Sequence, residues 1–423
     1  MRRVILSIIV SIAVMVSCQK TFDYSNVQNE VAQKTFVLPI EKSLEILGLV
    51  CPDVLNQTRA SAGNVEILSM GDFRPATRGG DACNSDDPIV YIVPLDNGGC
   101  AIMGADVRMQ PVYAILESTT LTSNDILLMS EESNDSEIIG MVSGMLNSVI
   151  QSDIDKMDSR VMDSIILTPV YRYVHDTTII ARQLPLLRTK WHQGFPYNNE
   201  TPGCPAGCAP VALAQIMYHH KWPHSLDGYT FNWSVMASTE FNYNNPNQTP
   251  PPMAALEVAR LIHKFGENIH AIYKTEKTTA KPDNVLAFFY TSPFNVNPIL
   301  QQYNVDKIYM MLNDSLPVMV FGETSPQLDT ISRHAWVIDG YDFRQITTYD
   351  RITNTIVNDD VLKLVHCNYG VNGACDGFYT SGVFDLREER KGNELIPAIG
   401  DRPHTISDKD YSFNVMFIEY HND

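Results

Sequence analysis

Cys208 follows Gly207 and opens directly onto Ala209-Pro210-Val211-Ala212-Leu213-Ala214-Gln215-Ile216-Met217, an apolar run of strong helix formers. The pattern predicts a mostly buried helix over 209–220 that stops before Pro223, with Pro210 tolerated in its first turn. A thiol at the mouth of such a helix meets the positive end of the dipole, which favours thiolate, the form that attacks a carbonyl. A thiolate nucleophile needs a partner. His334 opens the strand-like run His334-Ala335-Trp336-Val337-Ile338, where an imidazole stands at a sheet rim within reach of a helix N-terminus. Asn368 ends a further run, Val361 to Asn368, and its amide oxygen can accept the imidazole N–H and fix the tautomer. Gln193, upstream of the thiol, can lend its side-chain NH2 to an oxyanion beside the Cys208 N–H. Each residue alone is ordinary; a small buried cysteine or an isolated Asn is usually structural. The order Gln, Cys at a helix start, His on a strand, Asn on a strand is far more specific.

Other pairings of the same residues are weaker. Cys204, Cys208, His219 and His220 form a poor Cys2His2 zinc set, because neighbouring side chains on a helix point about 100° apart and the histidines lie a helix length from the cysteines. A Cys204–Cys208 disulfide would consume the nucleophile and leave a binding protein. Cys204 is read instead as free or paired elsewhere, for instance with Cys375.

The elements that must position these residues form an α+β pattern. Helices are expected at 253–269 and 305–313, then strands at 317–321, 334–341, 361–368, 377–384 and 414–419. The first half carries a short amphipathic helix at 41–50 and a polar loop over 76–87. A hairpin follows, Ile89–Val93 and Cys100–Met103 about the turn Asp96-Asn97-Gly98-Gly99, with another strand at 112–116 and polar-faced helices within 131–160. His175 to Pro185 reads as an exposed connector.

The chain of 423 residues has ample volume for a packed core, and a net charge of −18 without a Lys/Arg cluster argues against nucleic acid as the main partner. Arg2 and Arg3 precede an apolar run, Val4 to Val16, too short to span a bilayer comfortably and shaped like an export signal. It ends Met15-Val16-Ser17-Cys18, similar to a bacterial lipoprotein signal, with Cys18 as the lipidated residue.

The strings TKWHQGFPYN, AGCAPVALAQIMYHHKWP, RHAWVIDGYD and HCNYGVNGACDGFY resemble the streptopain family of papain-like cysteine endopeptidases. The hairpin and GADVRMQPVYAILES resemble that family's inhibitory propeptide. The resemblance implies a papain-like peptidase of two subdomains, a helical part and an antiparallel sheet, preceded by a small α+β propeptide domain. The boundaries that follow are 1–18 for the signal, 19–182 for the propeptide and 183–423 for the peptidase. It implies Cys208 as nucleophile, His334 as its partner, Gln193 in the oxyanion hole, Asn368 as orienter, and Gly322 and Tyr369 near the substrate. No metal or organic cofactor is implied. The expected partners are peptide or protein substrates, the chain's own propeptide and, through a lipid on Cys18, a membrane. The chain departs from the family pattern at Val371, where a second large ring is usual, and at Arg333, where glycine is usual. Activation is expected by cleavage between Thr177 and Leu187. An inactive surface binding protein with the same fold and a cysteine amidase acting on cell-wall peptides are the alternatives.

Overall fold

The computed structural model describes residues 36–50, 64–74, 86–96, 98–128, 136–157, 173–242, 249–291, 293–294, 297–326, 328, 330–350, 353–385 and 408–421. Its first part comprises helix α1 (Ile40–Val50), strand β1 (Glu66–Ser69), α2 (Met70–Phe73), β2 (Pro88–Pro94), β3 (Cys100–Gly104), β4 (Val112–Leu116), α3 (Ser123–Ile126), α4 (Ser136–Lys156) and β5 (Tyr173–Gln183). The second comprises α5 (Cys208–His220), β6 (Ser225–Leu226), β7 (Tyr229–Thr230), α6 (Trp233–Met236), α7 (Pro252–Asn268), α8 (Pro282–Phe289), β8 (Ile299–Gln302) and α9 (Val305–Asn313). It ends with β9 (Val318–Glu323), β10 (Arg333–Asp350), β11 (Thr355–Asn368), β12 (Gly377–Thr380) and β13 (Phe413–Glu419).

The architecture is α+β. An 11-stranded sheet runs in the order β1-β2-β3-β4-β12-β11-β10-β9-β13-β8, with β5 added alongside β10. The period-2 alternation of strand side chains divides its cores. On β2, Val90 and Ile92 face a core shared with Met141, Val142 and Met145 of α4, whereas Tyr91 and Val93 face a second core with Ile46, Leu47 and Val50 of α1. Helix α5 is buried from Ala209 to Tyr218, with Gln215 polar in an otherwise apolar stretch, and packs between α7 and the sheet. It ends where Lys221 adopts the left-handed conformation, two residues before Pro223.

Three features differ from the sequence reading. Residues 173–183 form a strand: β5 pairs antiparallel with β10 from Tyr341↔Gln183 to Asp350↔Tyr173, and Arg182 reaches Asp342 at 3.3 Å. The side chains of 174–183 are half-buried or exposed, so the stretch looks like a linker in sequence although its backbone is committed to the sheet. Strands β10 and β11 continue past the expected limits at 341 and 361 into a long hairpin, paired from Val337↔Asn368 to Asp350↔Thr355, and Ile346, Leu362 and Leu364 of this extension are buried in the second core. The propeptide-like strands do not form a separate sheet. Pairing of Leu116↔Gly377, Ile115↔Phe378 and Ala114↔Tyr379 makes β1–β4 continuous with the sheet that carries His334. The apolar signal was correct, but which edges meet is a tertiary matter.

Candidate active site

Cys208 is the first residue of α5, and Gly207 before it has φ +98, a conformation that favours glycine. A side chain at 207 would also strike Thr278, whose hydroxyl is tied to the Pro205 carbonyl at 2.6 Å. The approach loop is fixed further by Ala206 N donating to Gln193 O (2.8 Å) and by Asn198 Nδ2 donating to Cys204 O (3.1 Å). Gln193 is thereby held beside the loop that leads into the thiol. Burial raises the Cys208 pKa, while the Ala335 N–H, the Ala209 N–H and its own N–H oppose that rise by favouring thiolate.

The Ala335 amide adjoins His334, so the β10 rim lies directly against the α5 mouth. His334 pairs across the ladder with Gly322 of β9, which places Gly322 beside the imidazole. A Cβ at 322 would lie 2.5 Å from the Tyr411 carbonyl and 2.9 Å from the Trp336 ring. The His334 Nε2 stands 3.2 Å from the Tyr369 carbonyl oxygen. A carbonyl only accepts, so Nε2 carries the proton and Nδ1 is left unprotonated, with its lone pair free to accept. Burial lowers the His334 pKa, opposed by this carbonyl and by the charge of Glu137. The Trp336 ring lies nearly parallel to the imidazole, at 15° and 6.4 Å. Arg333 points outward, 58 % exposed, and is paired with Glu323 at 2.8 Å.

Two sequence expectations need correction. Asn368 does not hold His334: its Oδ1 accepts from Gly370 N (3.1 Å) and Gln215 Nε2 (3.0 Å), and its Nδ2 donates to Thr189 O (2.8 Å). The next residue supplies the contact, through its main chain. Tyr369 was expected near substrate, yet its ring is 1 % exposed and packs against Trp336 and Tyr379. The strand turns between 368 and 370, which carries the Asn side chain toward α5 and leaves the Tyr carbonyl at the rim.

Several site neighbours carried no sequence motif. Gln215 is a fully buried polar residue inside an otherwise apolar helix, which was the available signal. Asp376 accepts from Tyr369 N at 2.9 Å, and burial raises its pKa to about 7, against the lowering effects of that N–H and of His366. His366 sits between Asp339 (2.6 Å) and Glu117 (3.3 Å), the latter also 3.8 Å from Lys190. Burial alone would lower the His366 pKa, but the charge and hydrogen bond of Asp339 together with Glu117 lift it to about 10. For Glu117 the burial effect is upward, and His366 and Lys190 outweigh it to give about 2.

Cys208 and His334 are half-exposed, and other parts of the chain stand beside the site. Tyr411 lies over Gly322, and burial raises its pKa with contributions from the charges of Glu137 and Cys208. The strap 409–412 is gripped by α4: Ser148 Oγ donates to Asp410 Oδ2 at 2.5 Å, and Gly140 and Gly144 let the helix approach Lys409 closely.

Cys204, Cys208 and Cys375 are free thiols, so neither the Cys204–Cys208 nor the Cys204–Cys375 disulfide is formed. His219 Nε2 meets the Ser315 carbonyl and His220 Nε2 the Tyr420 hydroxyl, each at 3.0 Å. Among the described residues no group of three or more His, Cys, Asp or Glu side chains could hold a metal ion. The Arg2–Cys18 segment lies outside the described residues.

Residues 191–379 match the model of the Peptidase C10 family. A stretch of 60 residues is 35% identical to the thiol protease/hemagglutinin PrtT of Porphyromonas gingivalis, covering 13% of this chain and 7% of that protein. Among solved structures, a fragment of Prevotella intermedia prointerpain A is similar at 18% identity, with a TM-score of 0.49, over 78% of this chain and 95% of that one. The active Prevotella intermedia interpain A cysteine protease is similar at 20% identity, with a TM-score of 0.40, over 57% and 95% respectively.

Proposed function

We propose, on the premise that residues 191–379 belong to the Peptidase C10 family, that this chain is the zymogen of a cysteine endopeptidase. Cys208 attacks the peptide carbonyl, and His334 Nδ1 takes the thiol proton and returns it to the leaving amine. The Cys208 N–H and the Gln193 side chain receive the oxyanion. The acyl-enzyme is then hydrolysed by a water that His334 activates. The observation that carries this reading is the meeting of the α5 mouth with the β10 rim, Cys208 against the Ala335 amide and His334 with Nε2 on the Tyr369 carbonyl.

In the full chain burial raises the thiol pKa and lowers that of the imidazole, which favours the neutral, unreactive pair. Activation requires cleavage near the end of β5 and withdrawal of α4 with the strap 409–412. Export by the Val4–Val16 segment, and anchoring through a lipid on Cys18, complete the proposal.

The test is titration of the processed protein with an epoxide inhibitor of cysteine peptidases, read by intact mass, beside Cys208→Ala. A single adduct absent from the variant, with casein cleaved and muropeptides left intact, is expected. A processed wild type with reduced Cys208 and no adduct overturns the reading.

A further inference from the structure

Gln215 lies seven residues along α5 from Cys208, two turns deeper, and is 0% exposed. Its side chain closes a ring of three hydrogen bonds. Thr189 Oγ1 donates to Gln215 Oε1 at 2.6 Å, Gln215 Nε2 to Asn368 Oδ1 at 3.0 Å, and Asn368 Nδ2 to the Thr189 carbonyl at 2.8 Å. The amide orientations are fixed by chemistry. Asn368 must turn its oxygen toward the Gly370 N–H (3.1 Å), so Gln215 must turn its nitrogen toward that oxygen.

The Gly370 N–H and the Tyr369 C=O are the two ends of one planar peptide unit. Clamping the N–H on Asn368 fixes the direction of the carbonyl, and that carbonyl holds His334 Nε2. Gly370, at φ +67, is also seated on α5, since a Cβ there would lie 3.0 Å from Val211 Cγ1. The helix that presents the thiol therefore holds the peptide that presents the base.

We propose that Gln215 is a positioning residue for the reaction: through Asn368 it fixes the Tyr369–Gly370 peptide, and so places His334 in register with the thiol carried by its own helix. This rests on the Cys208–His334 reading above. A ring serving only the fold would cost stability when broken and leave the chemistry alone.

The experiment measures alkylation of Cys208 by iodoacetamide against pH in the full chain, located by peptide mass, and kcat and KM on a peptide substrate after processing. Gln215→Leu and Thr189→Val break the ring at different bonds, while Thr189→Ser keeps the hydroxyl. Because a placed general base contributes roughly 100-fold or more, the two ring-breaking variants are expected to lose ~10–100-fold in kcat with KM within about twofold. Their alkylation profile should move toward that of His334→Ala, and Thr189→Ser should restore the wild-type profile. If Gln215→Leu does not fold, Gln215→Met, which keeps the side-chain length and lacks both the acceptor for Thr189 and the donor to Asn368, gives the same comparison. Wild-type kcat and alkylation profile in the ring-breaking variants, with only stability lowered, overturn the proposal. A wild type that cleaves no peptide but whose Cys208 alkylation depends on Gln215 supports the positioning role and defeats the peptidase reading instead.

Discussion

His334 Nε2 lies 3.2 Å from the main-chain carbonyl of Tyr369, and the neighbouring Asn368 side chain turns away to serve Gln215, Gly370 and Thr189. The imidazole is oriented by a backbone oxygen that no side-chain substitution at 369 removes.

Asn368→Ala should therefore reduce activity without abolishing it. The Tyr369 carbonyl survives the substitution, but the Gly370 amide, the Gln215 NH2 and the Thr189 carbonyl lose a buried partner. The expected stability loss is ~1–3 kcal/mol, with kcat falling at least as far as in the Gln215 variants, ~10–100-fold. Urea unfolding and steady-state kinetics on the processed protein check it; a loss as deep as that of His334→Ala would show that Asn368 contacts the imidazole directly.

Glu117 and His366 should give the full chain a two-sided pH dependence. The Glu117 carboxyl is held below its ordinary 4.5, so its contribution is complete above 4.5 and lost as pH falls toward about 2. His366 is raised above 6.5, so its contribution is complete below 6.5 and lost as pH rises through about 10. The difference in unfolding free energy between wild type and Glu117→Gln should be largest between pH 4.5 and 6.5 and shrink on both sides. Asp376, raised to about 7 by burial and in part by the charge of Glu117, takes stability away as pH rises through that value, and this slope should be weaker in the variant. Breaking the buried pair at Asp339, by Asp339→Ala, should cost ~3–5 kcal/mol.

Gly144→Val tests the α4–strap contact without touching the thiol, the imidazole or their supports. The new side chain would collide with the Lys409 main chain, prising α4 from the strap. Overpacking of this kind costs ~1–3 kcal/mol, so Cys208 in the full chain should alkylate roughly tenfold faster. Ser148→Ala, which removes the hydrogen bond to Asp410, should act in the same direction and more weakly. Unchanged alkylation in both variants would show that α4 does not guard the thiol.

Processing should avoid β5. A peptidase takes its substrate extended and unpaired, and residues 173–183 are laddered to β10. Within the interval 177–187, the accessible stretch begins at Leu184, which is 59% exposed, and ends where the Leu186 and Leu187 amides bond to Asp339. N-terminal sequencing of the mature fragment should place no cut between Thr178 and Gln183; a dominant cut there would mean that β5 separates from β10 before cleavage.

The sequence was legible where neighbours in the chain decide the outcome. Gly207, Pro210 and the apolar run placed Cys208 at a helix start, and the hairpin at 88–104 followed from alternation about a glycine turn. It misled where exposed side chains hide a paired backbone, as in β5, and where a side chain and the next carbonyl compete for one partner, as at Asn368 and Tyr369.

By itself, then, the sequence determined the elements that bear the proposed reacting groups, because capping, glycine conformation and hydrophobic periodicity act over a few residues. Tertiary structure alone decided which atom accepts the hydrogen bond of His334 Nε2, the ring joining Gln215, Asn368 and Thr189, and the meeting of Glu117 with His366 across 249 residues. Those contacts depend on sheet register and on which strand edges meet, and hydrogen-bond geometry at that scale is set only when distant segments pack.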